Sequence, residues 1–461
     1  MVGISTTLAS WLVMSLLWLG LKIDIRAKFG NIYWHTNCAM SRNLLLFDAT
    51  VIADGLLGLP SARTGVYRYT KCLLQSMAAV GHEFPFEQLI PFLPCAERPN
   101  RLALSAELLE IQSPQSVDFC GPYLPQVFVN TILALFGKRI TCGIERRIQF
   151  VVLWQQLNRL LLSARAECIY FTPHALTPAL SRFRRLKRVI CIHDLIPVLF
   201  PEYCHDWSIK FYSELRLQLP DVDGIICVSE ATCDDLLRWF PALSSKPIAV
   251  IPHAADACFS YKTNPNDTSI LMELGLSRHS YILSVGTLEP RKNLGTLLVA
   301  YSKLVVRLGG AAPRLVLCGA ASGCDLALQD QIQNLQLEGK ILFTGFVSDE
   351  FLSTLYRYAI CFVFPSLYEG FGLPVLEAIS SGTPVLSSNH PALVEVLGEA
   401  ALTFDPIDSN QLSMELERLI TDKELQQHQR LLGIDRAKQF SWQSSARRTI
   451  DFARSLRCSA P

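Results

Sequence analysis

The sequence predicts an α/β protein of two Rossmann-like, doubly wound parallel-sheet domains with a cleft between them. Three observations carry this. Short continuous apolar runs recur along most of the chain, the mark of strands buried on both faces of a parallel sheet. Helical patterns fall between them in a strand–loop–helix rhythm. A polar stretch at 261–269 divides the runs into two sets.

The first set has strands at 43–47, 167–172, 188–193, 224–229 and 248–251. The second has strands at 281–286, 314–319, 340–345, 360–364 and 384–387. Between them, Leu294, Leu297, Leu298, Tyr301, Leu304, Val305 and Leu308 hold one face of a helix at i, i+3, i+4 spacing. Thr421-Asp-Lys-Glu424 reads as a capping box that opens another helix. The expected divisions are an apolar extension (1–39), a first domain (40–262), a linker (263–276), a second domain (277–438) and a closing helix (439–461).

Composition narrows the function. Half of the 461 residues are hydrophobic and 18% charged, which excludes wholesale disorder. Forty-two Lys and Arg against 41 Asp and Glu do not make a general polyanion binder, so no nucleic-acid partner is expected. Fifteen cysteines include no C-x-x-C pair, so zinc and dithiol motifs lack support, and most sit in apolar runs as small core residues. Residues 94–166 break the rhythm, and 101–190 carry 12 Lys/Arg against 5 Asp/Glu. A solvated helix face is the plain reading, and a basic surface that meets anionic lipid is the sharper one.

Residues 1–21 have no charged side chain; Lys22, Arg26 and Lys28 follow. Met40 stands just before the first strand. The simplest expectation is that the chain starts at Met40. The rival is a membrane anchor, since about 20 apolar residues span a bilayer and the cations after them would keep the domains cytoplasmic.

Four strand-end or helix-start loops carry chemistry, where ligands of doubly wound folds bind. Tyr368-Glu-Gly-Phe-Gly-Leu-Pro-Val-Leu-Glu377 puts two carboxylates eight residues apart around a Gly-x-Gly turn that opens a helix. Such a turn lets backbone amides approach an anion, and two acceptors at that separation suit two groups of hydroxyls. Gly286-Thr-Leu-Glu-Pro-Arg-Lys-Asn293 places Arg291 and Lys292 at a helix start, where cations oppose the helix dipole and call for an anionic partner such as a departing diphosphate. Ile192-His-Asp-Leu-Ile-Pro197 ends a strand with His193 at the cleft, and Thr64-Gly-Val-Tyr-Arg-Tyr69 brings Gly65 to the start of the first helix. Asp221-Val-Asp223 is the one metal-like pair; it precedes a strand, away from these loops, and is read as structural.

Together these segments resemble the retaining glycosyltransferases of family four, which have the GT-B fold. The resemblance runs from Asn43 to about Leu456 and is most specific over 281–405, where Phe343-Thr-Gly-Phe-Val-Ser348 and Gly382-Thr-Pro-Val385 add to the loops above. Ser441-Trp442 is similar to the family's terminal segment, whose helix crosses back to the first domain. The resemblance implies an acceptor-side first domain and a nucleotide-sugar-binding second domain. It implies that Glu377 binds the ribose hydroxyls, and that Glu369 with the backbone of Gly370, Phe371, Gly372 and Leu373 holds the sugar and its diphosphate. Lys292, helped by Arg291, would stabilise the leaving diphosphate. The backbone near Val347 would meet the base, His193 the donor sugar, and Gly65 the phosphates. Many members carry Arg directly after the glycine at 286, where this chain has Thr287; Arg291 is then expected to take over that charge.

The expected activity is retaining transfer of a sugar, best matched to mannose from GDP-mannose, to a saccharide or lipid-linked saccharide. The donor is a substrate, no cofactor or metal is expected, and the setting is cytoplasmic, at the inner face of the membrane. The rivals are a degenerate nucleotide-sugar-binding partner subunit without turnover, or a GT-B phosphorylase or epimerase. Intact Glu369, Glu377 and Lys292 argue against the first, and Thr287 weakly for it.

Overall fold

The computed structural model describes residues 44–48, 51, 65–80, 88–92, 168–174, 186–204, 206–320 and 325–456. The expectations for 1–39 and for 94–166 lie outside them.

Two six-stranded sheets form, with every strand pair parallel. The first is built from β1 (Leu44–Asp48), β2 (Gln88–Phe92), β3 (Cys168–Thr172), β4 (Leu186–Ile192), β5 (Gly224–Cys227) and β6 (Ile248–Val250), in the order 2-1-3-4-5-6. The second is built from β7 (Tyr281–Val285), β8 (Arg314–Cys318), β9 (Ile341–Gly345), β10 (Cys361–Phe364), β11 (Val385–Ser388) and β12 (Ala401–Phe404), in the order 12-11-10-7-8-9. Counted from β7, that is the 3-2-1-4-5-6 order of a dinucleotide-binding fold, whose strand order reverses between β7 and β10. Central strands such as β3, β5 and β10 are buried at every residue, as their continuous apolar runs predict.

Two strands, β2 and β12, are absent from the sequence-based assignment, and both are sheet edges. β2 contains Pro91, which cannot donate to a ladder and is tolerated only where one side is free. β12 is largely only half-buried, so its four residues carry no continuous apolar signature.

Among the described helices are α1 (Gly65–Val80), α2 (Glu230–Trp239), α3 (Asp267–Glu273), α4 (Leu294–Leu308), α5 (Asp349–Tyr358), α6 (Leu373–Ser380), α7 (Pro391–Leu397), α8 (Ser409–Thr421), α9 (Lys423–Ala437) and α10 (Trp442–Ser455). On α4, Leu297, Leu298, Tyr301 and Leu304 are fully buried in one cluster with Ile282, Leu315 and Leu317 of the sheet. Its extension to Ala311 is long and apolar enough to cross a membrane, but this packing is that of a core helix. The capping-box reading is off by one residue. Thr421 ends α8, and Asp422 is the N-cap of α9, its carboxylate accepting from the Leu425 amide at 2.9 Å.

The segment read as a linker is not an open tether. It contains α3, whose Asp267 is fully buried and pairs with Arg357 of α5 at 2.6 Å. Thr354 and Tyr358 donate to the same carboxylate at 2.8 and 3.1 Å. The polar composition of 261–269 reflects these buried partners as well as solvent.

α10 lies on the first sheet's side. Ser445 Oγ donates to the Pro252 carbonyl at 2.7 Å, Arg448 Nη2 to the Val250 carbonyl at 2.5 Å, and Phe452 and Leu456 lie against Gly224.

Candidate active site

The two loops richest in chemistry follow β7 and β10, the strands on either side of the second sheet's reversal. A crevice opens there because the connections leave in opposite directions. The loops are tied to each other. Asn293, in the left-handed region at φ 55°, donates from Nδ2 to the Pro365 carbonyl at 3.1 Å, and the Leu367 amide donates to the Arg291 carbonyl at 2.9 Å. Gly286, Thr287, Leu288, Lys292, Phe364 and Pro365 line one pocket between them, with Thr287 exposed at its rim.

Glu369 is the electrostatic centre. Three donors converge on its Oε1: Lys292 Nζ at 2.6 Å, Ser366 Oγ at 2.6 Å and Arg291 Nη1 at 2.9 Å. Burial alone would raise this carboxyl. Arg291 and Lys292 outweigh it and hold the carboxyl at about 2. Burial lowers the Lys292 ammonium below its ordinary range, and Glu369 opposes that shift. Arg291 also donates to the Tyr368 carbonyl at 2.5 Å and pairs with Glu289, so it braces the loop that carries Glu369.

Glu377, on α6, is 2% exposed. Its Oε1 accepts from Arg68 Nη1 at 2.6 Å, and its Oε2 from the Tyr356 hydroxyl at 3.2 Å. Burial pushes its carboxyl up to about 7, against the pull of Arg68 and Tyr356. Each of the two carboxylates holds a cation in this structure.

The Gly-x-Gly turn is pressed into the first domain. Ser229 Oγ and Thr232 Oγ1, at the start of α2, donate to the Gly370 carbonyl at 2.5 and 2.9 Å. A methyl group on Gly370 would overlap the His193 carbonyl oxygen and stand 2.8 Å from its carbon. Gly372 sits in the left-handed region at φ 97° as the N-cap of α6. Phe371 is buried with its ring 4.8 Å from that of His253. Gly65, at the start of α1, faces Leu373. Glu395 of α7 accepts from the Glu230 amide at 2.9 Å, so a carboxylate of the second domain sits at the start of α2.

His193 reaches the cleft by its main chain. Its ring donates from Nε2 to the Pro173 carbonyl at 2.6 Å and packs edge-on to Tyr69 at 4.7 Å. Burial, with a smaller contribution from His174, lowers it to about 3, so it is neutral. Val347 lies in the β9–α5 turn and packs against the cluster that contains Tyr356. Asp223 accepts from the Arg188 amide at 2.9 Å and pairs with Lys187 at 3.2 Å, which joins β4 to the start of β5.

The sequence reading passed over Arg68, Tyr356, Ser229, Thr232, Ser366 and Glu395. Arg68 stood inside the quoted 64–69 motif, and Ser229-x-x-Thr232 is an N-cap pattern: Ser229 Oγ accepts the Thr232 amide at 3.0 Å. Neither motif names a partner in the other domain.

Two facing parallel sheets, with paired loops at the second sheet's reversal closed against the first, are the architecture of GT-B glycosyltransferases. The fold likeness is direct. The chain superposes on Anabaena HepE, solved with UDP and glucose, with a TM-score of 0.60 at 18% identity, covering 90% of this chain and 100% of that one. For sucrose-phosphate synthase from Thermosynechococcus elongatus the TM-score is 0.63 at 18% identity, over 90% and 99%.

Sequence comparison narrows the class. The family described as "Glycosyl transferases group 1" matches residues 273–431, and "Glycosyltransferase Family 4" matches 116–257. The O-antigen chain mannosyltransferase B of Escherichia coli is 32% identical over 283 residues, 61% of this chain and 71% of that protein. This chain therefore belongs to the family-four glycosyltransferases and resembles their bacterial mannosyltransferases. The serotype-specific mannosyltransferase WbdA of Escherichia coli is 30% identical over 299 residues, which span 59% of this chain but only 34% of WbdA. The O-antigen chain mannosyltransferase RfbU of Salmonella typhimurium is 29% identical over 222 residues, 48% of this chain and 58% of RfbU.

Proposed function

We propose that this glycosyltransferase moves mannose from GDP-mannose, with retention, to a saccharide or lipid-linked saccharide. The observation that carries the sugar is the 32% identity with the Escherichia coli O-antigen mannosyltransferase across 71% of that protein. In this reading Glu377 accepts from the ribose hydroxyls. Lys292 neutralises the diphosphate as it departs, and the amides of the Gly370–Gly372 turn meet it from the start of α6. Arg291 holds Glu369 and Tyr368 in place.

Attack comes from the face the diphosphate leaves, and a leaving phosphate oxygen takes the acceptor's proton. The C1–O bond to phosphate breaks, the C1–O bond to the acceptor forms, and GDP carries away the electron pair. A double displacement would need a free carboxylate beside the anomeric carbon. Glu369 is a poor nucleophile, because three donors share its Oε1. The reaction is placed on the cytoplasmic side, at the membrane's inner face; the cations counted over 101–190 support contact with anionic lipid there.

The test is to incubate the purified chain with GDP-mannose, GDP-fucose, UDP-glucose and UDP-N-acetylglucosamine and to follow nucleoside diphosphate release. Release from GDP-mannose above the others is expected. No release from any donor, with binding retained, would favour the partner-subunit reading. Activity is also expected to persist in EDTA, because the Asp223 carboxylate is already held by Lys187 and the Arg188 amide. Loss with chelator, restored by manganese, would make Asp221 and Asp223 ligands after all.

A further inference from the structure

We propose that Arg68, carried by α1 of the acceptor-side domain, is the positioning residue that favours the charged form of the Glu377 carboxylate and aims it for the donor's ribose. The inference rests on the reading of Glu377 as the ribose partner and adds a second domain to that subsite.

The geometry is specific. Arg68 reaches across the cleft with both terminal nitrogens: Nη1 to Glu377 Oε1 at 2.6 Å, and Nη2 to Asp349 at the start of α5. Its guanidinium lies 5.3 Å from the Phe259 ring centre, which limits its swing. The Arg68 side chain is 24% exposed and that of Glu377 3%, so a partly open arm supplies charge to an enclosed carboxylate.

The groups that face Glu377 leave Arg68 as the chief support of its charge. Tyr356 of α5 donates a neutral hydrogen bond, and Asp349 of the same helix repels the charge. Cys318 at the end of β8 and Cys258 after β6 are thiols, both raised by burial. A buried carboxylate without a cation takes up a proton instead of its charge. The protonated acid retains acceptor capacity but loses the charge-assisted bond to a hydroxyl. Because Arg68 belongs to the other domain, donor affinity depends on closure of the cleft.

The sign follows from the chemistry. Loss of Arg68 raises the Glu377 carboxyl, so tight binding persists at high pH and falls away as pH drops through the raised value. The experiment is calorimetric titration of GDP and of UDP into the parent, Arg68→Met, Arg68→Lys and Glu377→Gln chains between pH 6 and 9. Affinities are compared with the parent at the same pH, which cancels the nucleotide's own titration. Arg68→Met should bind increasingly worse than the parent as pH falls, by roughly tenfold for each unit that the carboxyl rises. Arg68→Lys should restore most of the affinity, and Arg68→Met/Glu377→Gln should lose the pH dependence. A parent-to-variant ratio that is flat with pH, or that grows as pH rises because Arg68 meets phosphate directly, overturns the inference while a weakened Glu377→Gln leaves the ribose reading standing. Unchanged affinity in Glu377→Gln, or no binding of either nucleotide by the parent, overturns that reading first.

Discussion

Lys292→Ala is expected to lower kcat by about 10²–10³ while changing nucleotide affinity far less. Negative charge on the diphosphate grows toward the transition state, so a cation there contributes most at the top of the barrier. Lys292 suits this role, because Glu369 fixes its ammonium at 2.6 Å inside a site that excludes most water. Its stem lies against Gly286, and its ammonium stands 4.8 Å from the Phe364 ring centre. Arg291→Ala should also slow turnover, through a loosened Glu369 and Tyr368. Steady-state kinetics beside calorimetry separates the two quantities. Parent-like turnover in both variants would remove these cations from the mechanism.

Gly370→Ala is expected to cost on the order of 10² in rate, for a steric reason. The added methyl would overlap the main-chain oxygen of His193 and stand 2.9 Å from the Asp194 side chain, and main chain does not yield as a flexible side-chain end does. The turn must back away, breaking its carbonyl's bonds to Ser229 and Thr232. A displacement of about 1 Å at a reacting centre costs on the order of 10² in rate. Thermal unfolding of the second domain should change little, since the clash lies at the seam. Kinetics and small-angle scattering together check this: activity falls and the particle becomes more extended. Full activity with parent dimensions would mean that the closed seam is not the working state.

The sheets were legible where strands are central, and the reason is burial on both faces. Residues 224–227 and 361–364 are apolar throughout because no residue of β5 or β10 meets water. At the edges that pressure lapses: the half-buried β6 and β9 still keep apolar runs, whereas β2 with its proline and β12 carry no such signal. The loops that carry Lys292 and Glu369, and the helix start that carries Glu377, were legible because fold rules put ligands at strand ends. Their partners were not. Arg68 and Glu377 lie 309 residues apart in the chain, and Ser229 and Gly370 lie 141 apart, so no local spacing announces either bond. Asp267 failed in the same way: a charged residue in a polar stretch reads as solvated until its arginine 90 positions later folds against it.

The return of α10 to the first sheet has a consequence for how the chain is made. Translation delivers the strands of that sheet early, yet the helix that covers Gly224 and bonds to Val250 and Pro252 is encoded at 442–455. The nascent first domain must therefore wait, with that surface bare, through the synthesis of roughly 190 further residues, about 10–40 s at ribosomal speeds. Apolar surface bare for that long invites misassociation, which gives chaperones a defined window on this protein. It also makes the two domains unequal as folding units, since a helix encoded after the second domain covers the first.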